Sequence, residues 1–137
     1  MLSVLRGAVE EVTDYANRSF RALDARAARR IEPIEEVVDD LVAATRSSHI
    51  KRLREGTCTL GAGVSFLDMV VNIERISDQC SNIGLYTLSL SDSSVMSDRH
   101  DYIRRLHQGG DPEFDRWYAE ARETYFKRLN GKEERES

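Results

Sequence analysis

Residues Cys58 to Leu90 read CTLGAGVSFLDMVVNIERISDQCSNIGLYTLSL, the longest and most apolar segment of the chain. Leu60, Val64, Leu67, Val71, Leu85 and Leu88 recur with the spacing of one helix face. A second apolar stripe of Phe66, Met69, Val70, Ile73, Cys80 and Ile83 runs beside the first. A helix apolar on two faces is expected at the centre of its fold, covered around most of its circumference. At 1.5 Å per residue it would span roughly 45–50 Å. Glu74, Asp78 and Ser81 interrupt the first stripe with polar groups.

Upstream, Leu2, Leu5, Val9, Val12, Ala16, Phe20, Leu23 and Ala27 form the stripe of another amphipathic helix. Asp24, ahead of Ala25-Arg26-Ala27-Ala28, is expected to N-cap a second helix. That helix continues through Ile31, Ile34, Val38, Leu41 and Thr45 to Leu53, with Gly56 placed as its C-terminal glycine. Pro33 either kinks it or marks its first turn. Downstream, Ser91 to Ser94 reads as a loop and Ser97 to Leu106 as a short helix ended by Gln108-Gly109-Gly110. Asp111-Pro112-Glu113 carries a cap, a proline at the first helical position and an early acid, which start a last helix. Phe114, Trp117, Tyr118, Ala121 and Tyr125 give it a packing face, expected to clasp the bundle. The expectation is an all-α antiparallel bundle of three long helices with additional C-terminal helices. It would form one domain over residues 1–130, followed by a charged flexible tail over 131–137.

Composition narrows the classes of function. Apolar residues make up 40% of the 137 positions and charged residues 32%, with eight glycines and two prolines, which suits a helical globular domain. The net charge of −4 argues against nucleic acid as a partner, whose binding surfaces are basic. No run approaches the roughly 18–20 apolar residues of a membrane span. Cys58 and Cys80 form neither a CxxC pair nor a disulfide framework, which fits a reducing cytoplasmic compartment.

Chemistry is concentrated in the acids. Glu74 and Asp78 stand four residues apart on one helix face, within the apolar stripe. Each ionised carboxylate placed there loses several kcal/mol of hydration unless something compensates. On the preceding helix Glu35 and Asp39 repeat the ExxxD spacing, and Glu36 and Asp40 offer it again one residue later. Two antiparallel helices would bring four carboxylates together, a set that needs a cation or raised pKa values. All-oxygen ligation favours iron, manganese, magnesium or calcium, and also admits zinc. The competing reading is a salt bridge, with Arg75 or an arginine of a neighbouring helix entering the seam.

The run Ile73-Glu74-Arg75-Ile76-Ser77-Asp78 resembles the ERIxD signature of PhoU-type phosphate-regulatory proteins, and Glu35 to Asp39 matches their other acidic helix. His49-Ile50-Lys51-Arg52-Leu53-Arg54-Glu55-Gly56-Thr57-Cys58, followed by Phe66-Leu67-Asp68, resembles the PhoU domain at the C-terminus of bacterial sodium/phosphate cotransporters. The match is close from Ile31 to Leu90 and looser beyond. It implies a three-helix PhoU repeat whose metal ligands are Glu35, Asp39, Glu74 and Asp78, with Asn82 in support. It implies a regulatory domain at the cytoplasmic face of the membrane, partnered by a membrane-embedded phosphate transporter, with a homodimer as a further expectation. No catalytic residue is implied. The chain departs from the family in three ways. It carries one repeat rather than two, so at most one metal cluster is expected. Ser77 stands where glycine is common and is expected to loosen helix packing, and Gln79 stands where the transporter form often has histidine. The chain is expected to be an excised domain or a stand-alone relative.

Two rivals remain on sequence alone: a metal-dependent hydrolase using the same carboxylates, and a metal-free interaction module. Glu-x-x-His, HExxH and P-loop patterns are all missing. His49 is expected at the surface or in an interhelix hydrogen bond, His100 and His107 on a solvated face, and Cys80 in the core. Arg46, Lys51, Arg52 and Arg54 form a basic cluster at one end of the second helix, expected to be a solvated surface.

Overall fold

In a computed structural model, residues 1–136 are described, apart from the side chains of 133–136. They form seven helices: α1 (Leu2–Ala22), α2 (Ala25–Arg29), α3 (Ile31–Arg54), α4 (Leu60–Ser89), α5 (Ser94–Ser97), α6 (Arg99–His107) and α7 (Pro112–Glu136). The second predicted helix is thus two. Asp24 caps α2 by accepting from the amides of Arg26 and Ala27, the chain breaks at Arg30, and Pro33 lies in the first turn of α3. A proline there forfeits no intrahelical hydrogen bond, so the break precedes it. Asp111 caps α7 through the amides of Glu113 and Phe114, and Gly56 takes the positive φ of 72° that ends α3.

Side-chain contacts give the helix directions. Thr13 meets Cys80 and Ser19 meets Thr87, so α1 and α4 run parallel. Glu32 meets Ser81 and Arg46 meets Glu74, so α3 and α4 run antiparallel. Tyr118 reaches Asp40, and Tyr125 reaches Gly7 and Glu11, which lays α7 against both α3 and α1. The three expected long helices therefore gain a fourth, in up-down-up-down order. The main core joins Val4, Leu5, Ala8, Val37, Val38, Leu41, Val42 and Val70 to Tyr125 and Leu129. The short α5 and α6 pack by Val95, Tyr102 and Ile103 against Ala28, Leu85 and Leu88.

The expected place of α4 at the centre needs correction. Its buried line is Gly63, Val70, Ser77 and Gly84, whereas Leu60, Val64, Val71 and Ile76 are exposed. This seven-residue line faces the neighbouring helices along the whole of α4, whereas of the leucine stripe only Leu85 and Leu88, near its C-terminal end, are buried. A Cβ on Gly84 would come within 2.8 Å of Ile31 Cδ1 and 3.3 Å of the Ala28 carbonyl. Ser77 is fully buried in this line. The aromatic face of α7 packs as expected, with Phe114 and Tyr125 buried. Helix α7 runs past Asn130, and Lys132 reaches Ser3 of α1. The expected tail over 131–137 falls largely on side chains outside the described residues. Among those residues, no helix is long and apolar enough to cross a membrane.

Candidate metal centre

Side-chain direction on α3 resolves the ambiguity of its two ExxxD registers. Glu35 and Asp39 turn toward α4. Glu36 turns toward α6, 3.4 Å from His107, and Asp40 turns toward α7. There Asp40 accepts from the Tyr118 hydroxyl at 2.5 Å and from Arg122 Nε at 3.2 Å. Burial and this hydrogen bond push the Tyr118 phenol up to about 12.

Glu35 and Asp39 from α3 and Asp78 from α4 each offer one carboxylate oxygen, and the three oxygens lie within 4.8 Å of one another. They line a cleft of about 420 Å³ between α3, α4 and α6. Glu35 forms its floor, 8% exposed, while Asp78 stands at its solvent side. Burial, reinforced by the charges of Glu32, Asp39, Glu36 and Asp78, raises the Glu35 carboxyl from 4.5 to about 9. Asp39 rises from 3.8 to about 6 through burial and the charges of Glu74 and Asp78. Its Oδ1 is buried and has no hydrogen-bond partner. A buried acceptor without a donor is costly, and the three neighbouring carboxylates make an oxygen-only donor set suited to a hard cation.

Glu74 is drawn elsewhere. Its Oε2 accepts from Arg46 Nη2 at 2.9 Å, a half-exposed ion pair one turn along the seam. The structure thus brings together three of the four sequence-predicted ligands and gives the fourth an arginine. Asn82 lines the cleft, but its amide donates to Gln79 and accepts from Arg99 rather than touching a carboxylate.

Three polar residues of the neighbourhood lie outside the expected ligand set. Glu32 is buried beside the cleft and receives the Ser81 hydroxyl; burial raises its carboxyl. Arg99 and His107 come from α6, and His107 is exposed, as expected, while its ring stacks on Phe114 at 5.6 Å. No sequence pattern pointed to them, because their position depends on α6 folding back over α3. Glu32 stands outside the Glu35/Asp39 pair, although Ile31 and Ile34 on either side mark that turn as buried. His49 is a further correction: it is 1% exposed, packs 4.7 Å from Phe66, and its Nε2 has no partner. Gly63 makes room for its ring. Cys80 is buried, as expected.

The fold and the cleft define a four-helix bundle with an acidic inter-helix seam. The family model of the PhoU domain matches residues 2–87, and the chain belongs to this family. Membership points to a role in the regulation of phosphate transport. The match covers α1 to nearly the end of α4, so α5 to α7 lie beyond it. No curated protein and no solved structure matches the chain.

Proposed function

We propose that this protein is a cation-binding regulatory domain of phosphate uptake, acting on a membrane-embedded phosphate transporter at the cytoplasmic face. The observation that supports it most is the convergence of the Glu35, Asp39 and Asp78 carboxylates, one of which, Asp39, carries a buried oxygen that no protein group satisfies. A bound ion would supply charge neutralisation and cross-link α3 to α4. Its occupancy would then shift how the bundle docks, since both helices also carry exposed surface. Iron, manganese, magnesium, calcium and zinc all fit oxygen donors in this number. Glu74 would add a longer-range negative charge, and Arg99 and His107 would temper the total.

Elemental analysis of protein purified without chelator tests the reading. Wild type is expected to retain metal, and Asp39→Asn/Asp78→Asn to lose it with unchanged helicity. Metal-free wild type, or equal metal in the variant, refutes it. Transporter docking is tested by co-purification with the phosphate transporter from solubilised membranes, with and without chelator.

A second reading rests on the Arg46–Glu74 pair and on His107 beside Glu36: the protein neutralises its own acids and serves as a metal-free interaction module. The same elemental analysis separates the two.

A further inference from the structure

A second charged cleft, of about 310 Å³, lies where α1, the α2 turn and α7 meet. It shares no lining residue with the acidic cleft. Arg18, Arg26, Arg30 and Arg116 line it, together with Tyr15 and Trp117, and Asp24 is its one carboxylate. In a chain of net charge −4, this lining carries three more positive charges than negative ones.

Asp24 already accepts from the amides of Arg26 and Ala27. Arg18 is paired with Asp14 at 3.1 Å, but among the described residues Arg26, Arg30 and Arg116 form no ion pair. Glu11, in the adjoining cleft, receives the Tyr125 hydroxyl. Arg30 is the fixed member. Its Nε and Nη2 both donate to the Tyr15 hydroxyl at 3.3 Å, and its guanidinium lies 4.5 Å over the Trp117 ring. Stacking holds the plane of the fork while leaving its remaining N–H donors free, which pre-organises it for an oxyanion. Arg116 flanks Trp117 at 5.9 Å, and Arg26 extends from α2 at the same mouth.

We propose that this cleft binds a small phosphate-bearing anion, with Arg30 as the fixed donor and Arg26 and Arg116 closing over the ligand. Three guanidinium forks, arriving from α2 and its following turn on one side and from α7 on the other, suit a tetrahedral dianion better than a planar carboxylate, which one fork satisfies. The volume falls at the small end of ligand clefts, roughly 300–1,000 Å³. The phosphate comes either free in solution or as a lipid headgroup. The site stands independently of the cation reading.

Trp117 is the only tryptophan, so its emission reports the cleft. The experiment titrates the whole protein, at constant ionic strength and with chelator present, against inorganic phosphate. A second arm uses vesicles of phosphatidylglycerol in phosphatidylcholine. A saturable change is expected, weakened about tenfold or more in Arg26→Gln/Arg116→Gln, whose exposed side chains make no ion pair in the fold. Arg30→Lys, which keeps the charge and loses the fork, is expected to bind several-fold more weakly. Response to phosphate identifies the free anion, and response to anionic vesicles alone identifies the headgroup. No saturable response to either probe, or an equal response in the double variant and in Arg30→Lys, overturns the proposal.

Discussion

The two ends of the α3–α4 seam begin from the same sequence device and reach different electrostatic solutions. Toward the C-terminal half of α3, Glu74 meets Arg46 at 2.9 Å, and His49 and Phe66 close the space beyond. Toward the N-terminal half, Glu35, Asp39 and Asp78 crowd together, and the nearby Arg99 and His107 side chains engage Asn82 and Glu36 instead. The spacing of acids is therefore insufficient to mark a ligand. What matters is whether an arginine on the facing helix stands at the same level, because a local guanidinium neutralises a carboxylate without an external ion.

The largest expected effect separates Asp78 from Glu74. In a manganese titration of the chelated protein, Asp78→Ala is expected to lower affinity by more than about 100-fold, beyond the usual effect of a ligand's supporting partner. Glu74→Ala is expected to change it by less than about tenfold, as a charge acting at a distance. Equal losses in both variants would erase the distinction between the two ends.

Acidity gives the next effect. A carboxyl whose folded pKa is raised stabilises the fold in its protonated form, fully below its ordinary value, and loses that contribution as pH climbs through the folded value. With Glu35 raised from 4.5 to about 9 and Asp39 from 3.8 to about 6, the chelated protein should lose stability steadily between these limits. The slope is at most about 1.4 kcal/mol per pH unit for each group, and less for the partly exposed Asp39. Manganese, which binds the ionised forms, should flatten or reverse it. Thermal melts across pH check this; a midpoint that rises with pH in chelated protein contradicts the crowding of unneutralised acids.

Both ends share close helix approach, which Gly84→Ala tests. The added Cβ meets Ile31 and the Ala28 carbonyl, so overpacking of about 1–3 kcal/mol should outweigh the roughly 1 kcal/mol that alanine gains in a helix. Denaturant unfolding should show net destabilisation of about 1 kcal/mol, and a more stable variant would show that the seam has slack. The smallest effect belongs to Arg46→Met. A half-exposed ion pair contributes about 0–1 kcal/mol, so unfolding should shift by no more than that. A larger loss would mean that Arg46 supports the acidic end as well.

Much of the architecture was legible because helices announce themselves locally. The helical periodicity, the Asp24 and Asp111 caps and the Gly56 terminus all act within a turn or two of chain, and all appear in the structure, although Phe20 and Leu23 of the first stripe are exposed. The place of α4 was misread because leucine and valine count as core in a periodic pattern, whereas close approach selected Gly63, Ser77 and Gly84. In the acidic site, Glu35, Asp39 and Asp78 were legible from spacing and resemblance. The pairing of Glu74, the turning of Asp40 toward Tyr118, the burial of His49 and the arrival of His107 were not.

The amino-acid sequence alone determined that the chain is helical, where most of its helices begin and end, and that acids recur on facing helices. Those properties depend on backbone preferences and on neighbours three or four residues away. Only the tertiary structure decided which acid meets an arginine, which meet one another, and that four arginines from α1, the α2 turn and α7 line one cleft. Electrostatic energy depends on distance and burial between groups far apart in the chain, and helix packing sets both.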